Sequence, residues 1–163
     1  MAGAVSIDHA PLCDEVVELL SSGVVMSVGT RDAALAPECV PGMGSRVHRE
    51  RRMLTVFVPR VLLGATLANL EDNGQVAISL TRPSDEKSLQ IKGRARAVRE
   101  ASEADRSIQE LSRGAMVEQL AVVGMPRSLT RRMAWWPSVA IDVDVSEVFL
   151  QTPGPDAGRP LHR

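Results

Sequence analysis

The chain has 163 residues, 44% of them hydrophobic and 24% charged, with a formal net charge of -1, which suits a single domain with a sizeable core. The near-neutral balance excludes any global attraction to nucleic acid or an anionic membrane, and no apolar run reaches the roughly 18 residues of a membrane span. Tyrosine is absent and the aromatic residues are Phe57, Phe149, Trp135 and Trp136, so a tyrosine acid or base is excluded and stacking partners for a planar ligand are few.

The first residues carry Asp8, Asp14 and Glu15 and lack a basic stretch followed by an apolar one, so no secretory signal is expected. Two cysteines, Cys13 and Cys39, make no disulfide framework, and reduced thiols in a cytoplasmic protein are the expectation. Leu12 to Leu20 has apolar residues at helical spacing, with Ser22-Gly23 as its stop. Val24 to Val28 reads as a buried strand, and Leu35 to Val47 as a second strand broken or bulged near Pro41-Gly42. Arg46 to Arg52 reads as a charged hairpin loop and Met53 to Val58 as a third strand.

Pro59 ends that strand. Leu63, Leu67 and Leu70 then share one helical face, with Asn73-Gly74 as the C-terminal stop. Val76 to Leu80 and Ser88 to Val98 are the fourth and fifth strands. The fifth alternates sharply: Ser88, Gln90 and Lys92 point one way, Leu89 and Ile91 the other. Residues 103 to 123 carry Ile108, Leu111, Ala115 and Leu120 at helical spacing, with an interruption expected at Gly114. Val139 to Leu150 alternates as a long sixth strand. Residues 1–152 read as one domain and 153–163, rich in Pro and Gly, as an extended or mobile tail.

Six strands with a short helix between the third and fourth predict a mainly β fold, a six-stranded antiparallel split β-barrel with peripheral helices. Periodicity alone also admits a ferredoxin-like or other α+β sheet.

Several motifs fall away in context. Gly42-Met43-Gly44 lacks the βαβ surroundings of a dinucleotide fingerprint. His9, Cys13, Cys39 and His48 have no second close pair to complete a zinc site, so no metal is expected. Ser45 is not in a nucleophile elbow. Arg46, Arg49, Arg51 and Arg52 form a basic cluster around Glu50, read as a solvated hairpin tip that could also attract an anion. Arg60, Thr66 and Arg82 lie at strand and helix ends that a barrel brings close; a helix N-terminus with an arginine and a hydroxyl suits a phosphate.

The ordered run of strand 54–58, helix 63–72 with Asn69-Leu70, strand 76–80 and Ser88-Leu89-Gln90-Ile91-Lys92-Gly93 resembles the pyridoxamine 5′-phosphate oxidase-like FMN-binding split-barrel superfamily, over about residues 12 to 152. The resemblance implies a homodimer with FMN at the subunit interface and a flavin-dependent oxidoreductase acting on a small molecule, with a nicotinamide donor as one possibility. It puts Ser88, Gln90 and Lys92 near the isoalloxazine edge, and Arg60, Thr66 and Arg82 near the phosphate. Ala65-Thr66 stands where the oxidases carry an Arg-Lys pair. The oxidases also hold substrate phosphate with a tyrosine, so an activity other than vitamin B6 oxidation is expected. The alternative is a non-catalytic binding module for flavin, deazaflavin or haem on the same fold, with His48 as a candidate haem ligand.

Overall fold

A computed structural model describes residues 11–162; His9 lies outside them. The chain begins with helix α1 (Asp14–Ser21), followed by strands β1 (Val25–Arg31), β2 (Pro37–Gly42), β3 (Ser45–Val47) and β4 (Met53–Pro59). A 3-10 turn (Arg60–Leu62) leads into α2 (Thr66–Asn73), then β5 (Gln75–Thr81) and β6 (Ser88–Glu100). Helices α3 (Glu103–Val122) and α4 (Arg127–Thr130) precede β7 (Ser138–Leu150) and β8 (Pro160–His162).

All strands join one antiparallel sheet in the order β2-β1-β5-β6-β7-β4-β3, with β8 beside β7. The two end strands of that order are consecutive in the chain. The sheet therefore curls until the link between them meets β4: Met43 N–H donates to the Phe57 carbonyl (2.7 Å) and Phe57 N–H to the Gly44 carbonyl (3.1 Å). Pairing of both edges by one chain segment leaves few open backbone groups, which is how curled antiparallel sheets avoid edge association.

Mainly β architecture with a few helices is thus as expected, but the described strands number eight instead of six. The expected second strand divides at Gly42-Met43-Gly44 into β2 and β3. The eighth strand comes from the tail, which turns back on β7: Gly158 N–H donates to the Leu150 carbonyl (2.7 Å), and just before the tail Gln151 N–H donates to the Ser88 carbonyl of β6 (2.8 Å).

The core is aliphatic. Leu54, Val56, Val58, Ile78, Leu89, Ile91, Ile141 and Val143 are buried inside the curl, with Leu12, Val16 and Leu19 of the α1 region. Each such side chain contributes about 1.5–3 kcal/mol on burial. The α2 segment closes one end through Leu63 and Leu70, while Leu67 faces outward at 37% exposure, because the helix starts only at Thr66 and its buried face carries Thr66, Asn69 and Leu70.

Helix α3 runs unbroken through Gly114. Its packed face departs from the expected apolar stripe: Leu120 is buried as expected, but Asp105, Gln109, Met116 and Val117 are buried with it, whereas Leu111 is 78% exposed. The contacts of two residues select that face. Gln109 Nε2 donates to Ser138 Oγ (2.8 Å). Asp105 forms a capping box with Ser102 and ion pairs with Arg46 and Arg99. Among the described residues, no helix is long and apolar enough to cross a membrane.

Candidate functional site

The outer face of the sheet is built by alternation. With Met26, Val28, Val76, Ile78, Leu89 and Ile91 turned inward, the residues between them turn outward. Cross-strand register then fixes neighbours. Gly29 pairs with Ala77 and Ala77 with Lys92, while Ser27 pairs with Ser79 and Ser79 with Gln90. One step toward α2, Gln75 pairs with Arg94, and Arg31 Nη2 donates to Gln75 Oε1 (3.1 Å).

This face holds a cleft of about 590 Å³, within the range of small-molecule sites. Its floor is low because Gly29 and Ala77 stand at its centre. A Cβ added at Gly29 would meet the Ala77 carbonyl oxygen at 3.5 Å and that of Glu38 at 4.0 Å, both ordinary contacts, so the backbone does not require glycine there and its absent side chain leaves room. Pro37 and Cys39 form one wall, Ser146 and Glu147 the other. A bulge shapes that second wall: Lys92 pairs with Glu147 and Gly93 with Val145, leaving Ser146 extra, and its Oγ donates to the Lys92 carbonyl (3.0 Å). Such bulges bend a strand and re-aim its side chains. Here the bulge also shifts the inward set of β7 from Val143 to Val148.

Three cations line the cleft: Arg31, Lys92 and Arg94. Arg94 Nη2 donates to the Asn73 carbonyl at the end of α2 (2.8 Å), and Lys92 Nζ lies 4.8 Å from the centre of the Phe149 ring. Among the described residues, none of the three is in an ion pair.

The residues expected from sequence are distributed unevenly around this site. Lys92 lines the cleft and Gln90 lies one pair further along β6, its Nε2 3.4 Å from Ser79 Oγ. Ser88, expected to share their open face, is buried; its hydroxyl bonds Thr81 (2.8 Å) and the Glu86 carbonyl (2.8 Å). Arg60 and Arg82 are not brought together in one chain. Arg60 pairs with Glu100 at one end of β6, and Arg82 follows Thr81, which pairs with Ser88 at the other. The 13 residues of β6 separate them by about 40 Å of strand.

Arg82 is also engaged internally, with Asp85 (2.7 Å) and Glu18 (3.2 Å). Its hydrogen bonds to Asp85 hold that carboxyl down to about 2 and push the guanidinium up. Thr66 is fully buried and its hydroxyl has no hydrogen-bond partner among the described residues. The N-terminal end of α2 is met by Glu38, whose Oε1 accepts from the Ala65 N–H (3.2 Å).

The hairpin arginines are not all solvated. Arg46 pairs with Asp105 (3.2 Å) and Arg51 with Asp14. His48 is half-buried, and its Nε2 bonds Thr55 Oγ1 (2.8 Å), which in turn donates to Asp142 (2.6 Å). Among the described residues no group of three His, Cys, Asp or Glu gathers as a metal site.

Sequence reading missed Gly29, Arg31, Gln75, Ala77 and Arg94. A signal was there: β1 and β5 also alternate, setting Ser27, Gly29 and Arg31, and Gln75, Ala77 and Ser79, against valine, isoleucine and methionine.

No protein-family model and no curated protein matches the chain. Its structure is similar to solved ones. A pyridoxamine 5′-phosphate oxidase-related, FMN-binding protein from Nostoc punctiforme superposes with a TM-score of 0.52 at 13% identity, covering 93% of this chain and 89% of that one. HupZ from Group A Streptococcus gives 0.51 at 20% identity, covering 87% and 98%. An F420 reductase gives 0.51 at 14% identity, covering 80% and 93%. The chain therefore has the fold of the pyridoxamine 5′-phosphate oxidase-like FMN-binding split-barrel proteins.

Proposed function

We propose that this protein binds FMN in the outer cleft and works as a flavin-dependent oxidoreductase on a small molecule, as a homodimer whose second subunit closes the cleft. The observation that carries the reading is the cleft itself: about 590 Å³, floored by Gly29 and Ala77 and lined by Arg31, Lys92 and Arg94, which form no ion pair among the described residues. Sharing a fold with an FMN-binding protein and with a protein described as an F420 reductase supports it. Cys13 and Cys39 are both free thiols, which favours a cytoplasmic setting.

The residues fit such a ligand in the cleft and do not fit it at the start of α2. There the Glu38 carboxylate already takes a backbone N–H, and the Thr66 hydroxyl is enclosed. A phosphate at that point would face a like charge. Within the cleft, Gly29 and Ala77 leave room for a flat ring and the cations suit an anionic end; Gln90 and Ser79, next along the same face beyond the lining, offer polar groups to the ring's far edge. When bound, the flavin supplies the hydride and electron chemistry. The chain's part is to hold the phosphate, orient the ring and limit water.

An absorption spectrum of freshly purified protein, with quenching of added FMN fluorescence, tests the reading. A colourless protein that leaves FMN fluorescence unchanged overturns it. A bound flavin that neither NADH nor NADPH reduces favours a binding module over a reductase. A deazaflavin in the same cleft is the second reading, favoured by the fold shared with the F420 reductase. His48, tied to Thr55 and outside the cleft lining, gives haem no such support.

A further inference from the structure

The geometry points to Arg31 and Arg94, assisted by Lys92, as the seat of the ligand's phosphate, with Glu38 standing in for an anion at the α2 N-terminus. This rests on the flavin-cleft reading and names the part of the cleft that reads the anionic group.

The register places the two arginines. Arg31, Gln75 and Arg94 follow one another across β1, β5 and β6, and adjacent strands are about 5 Å apart. The guanidinium-bearing residues therefore stand about 10 Å apart across Gln75, with Lys92 two residues from Arg94 on the same face. Each arginine is anchored through part of its donor set: Arg31 to Gln75 Oε1 and the Asp32 carbonyl, Arg94 to the Asn73 carbonyl. A guanidinium has five N–H donors, so each keeps others for a ligand. Anchored forks of this kind suit a phosphate, whose oxygens accept paired hydrogen bonds.

The competing positions are already satisfied. Arg60 is neutralised by Glu100 and Arg82 by Asp85 and Glu18. Glu38 and Glu147 also line the cleft, so the three cations leave it with a small positive excess. Glu38, however, directs its carboxylate to the Ala65 N–H.

Riboflavin and FMN differ only by the phosphate, which makes them the probes. Dissociation constants from flavin fluorescence quenching, with circular dichroism as the check on folding, are measured for the wild type, the double variant R31Q/R94Q and E38Q. The expected result is a wild-type preference for FMN of about tenfold or more. R31Q/R94Q is expected to lose that preference while binding riboflavin as before. E38Q is expected to keep wild-type FMN affinity within about threefold, since its carboxylate holds α2 and not the ligand. Should the double variant fail to fold, the single variants R31Q and R94Q are each expected to lose several-fold in FMN affinity alone. A folded arginine variant with its FMN preference intact overturns the assignment and leaves the flavin reading standing. An E38Q protein that gains about tenfold for FMN also overturns it, by putting the phosphate at α2. A wild type that binds neither flavin overturns both.

Discussion

Glu38 and Ala65 are joined across 27 positions by a hydrogen bond of 3.2 Å from the Ala65 N–H to the Glu38 carboxylate. A strand residue thus satisfies a backbone donor that α2 cannot satisfy itself, at the end where the helix dipole favours negative charge. Gly64 lets the carboxylate in: a Cβ there would overlap Glu38 Oε1, and its φ of +50° is one that suits glycine. Replacing Glu38 by alanine should cost about 1 kcal/mol in urea denaturation. Gly64→Ala should cost more, since it combines the clash with the strained backbone.

Gly29→Val separates ligand binding from folding. The new side chain would fill the cleft floor, and its Cβ would meet backbone only at ordinary contact distances. Thermal unfolding should stay level or rise by the equivalent of up to about 1 kcal/mol, because valine suits a strand better than glycine. FMN titration should show affinity down by about tenfold or more, equal to 1.4 kcal/mol. Unchanged affinity in a folded variant would move the flavin elsewhere.

The buried hydroxyl of Thr66, without a partner among the described residues, makes Thr66→Val a test of the expected phosphate contact. Removing an unsatisfied buried hydroxyl should be neutral or stabilise by about 1 kcal/mol, and FMN affinity should not change. A loss of FMN binding would show that the hydroxyl turns to the ligand on binding.

Gly23 is where α3 comes against the chain between α1 and β1. Its φ is +91°, and a Cβ would overlap the Ala115 backbone carbonyl. Gly23→Ala should destabilise by about 2–4 kcal/mol in denaturant titration, through backbone strain and displacement of α3. Gly114→Ala, with nothing near its Cβ, should instead stabilise α3 by about 0.5–1 kcal/mol.

Asp105, a buried carboxyl, contributes to the acid-side pH dependence of stability. Burial pushes its carboxyl up, but the Arg99 hydrogen bond and those from Ser102 pull it down more strongly, leaving it well below the usual range. Its folded pKa is lower than the unfolded value of about 3.9. The stabilisation is therefore in place above about pH 4 and is lost as pH falls through the folded pKa. Asp105→Asn should cost about 3 kcal/mol at neutral pH, because Arg46 and Arg99 lose their partner. It should also flatten the fall in stability below about pH 4, measured by denaturant midpoints across acid pH.

Much of the fold was legible because it rests on short-range patterns. Alternating valine, leucine and isoleucine announced six of the strand segments, and Asn73-Gly74 announced the end of α2. The α3 face was misread because Ile108 and Leu111 look like core positions. Gln109 and Asp105 take their place inside through bonds to Ser138, Arg46 and Arg99. The capping-box spacing of Ser102 and Asp105 was nonetheless present in the chain.

What the sequence by itself determined is the polar row on β6, since a period of two puts Gln90 and Lys92 opposite Leu89 and Ile91 whatever lies beside them. Only the tertiary structure decided what that row belongs to. Strand register brought Gly29 and Ala77 beside Lys92 to open a cleft, and set Arg31 and Arg94 across Gln75. It also parted Arg60 from Arg82 and closed the α2 N-terminus with Glu38. Charges far apart in a chain carry no mark of their neighbours, because the pairing that joins them is set by the whole curled sheet.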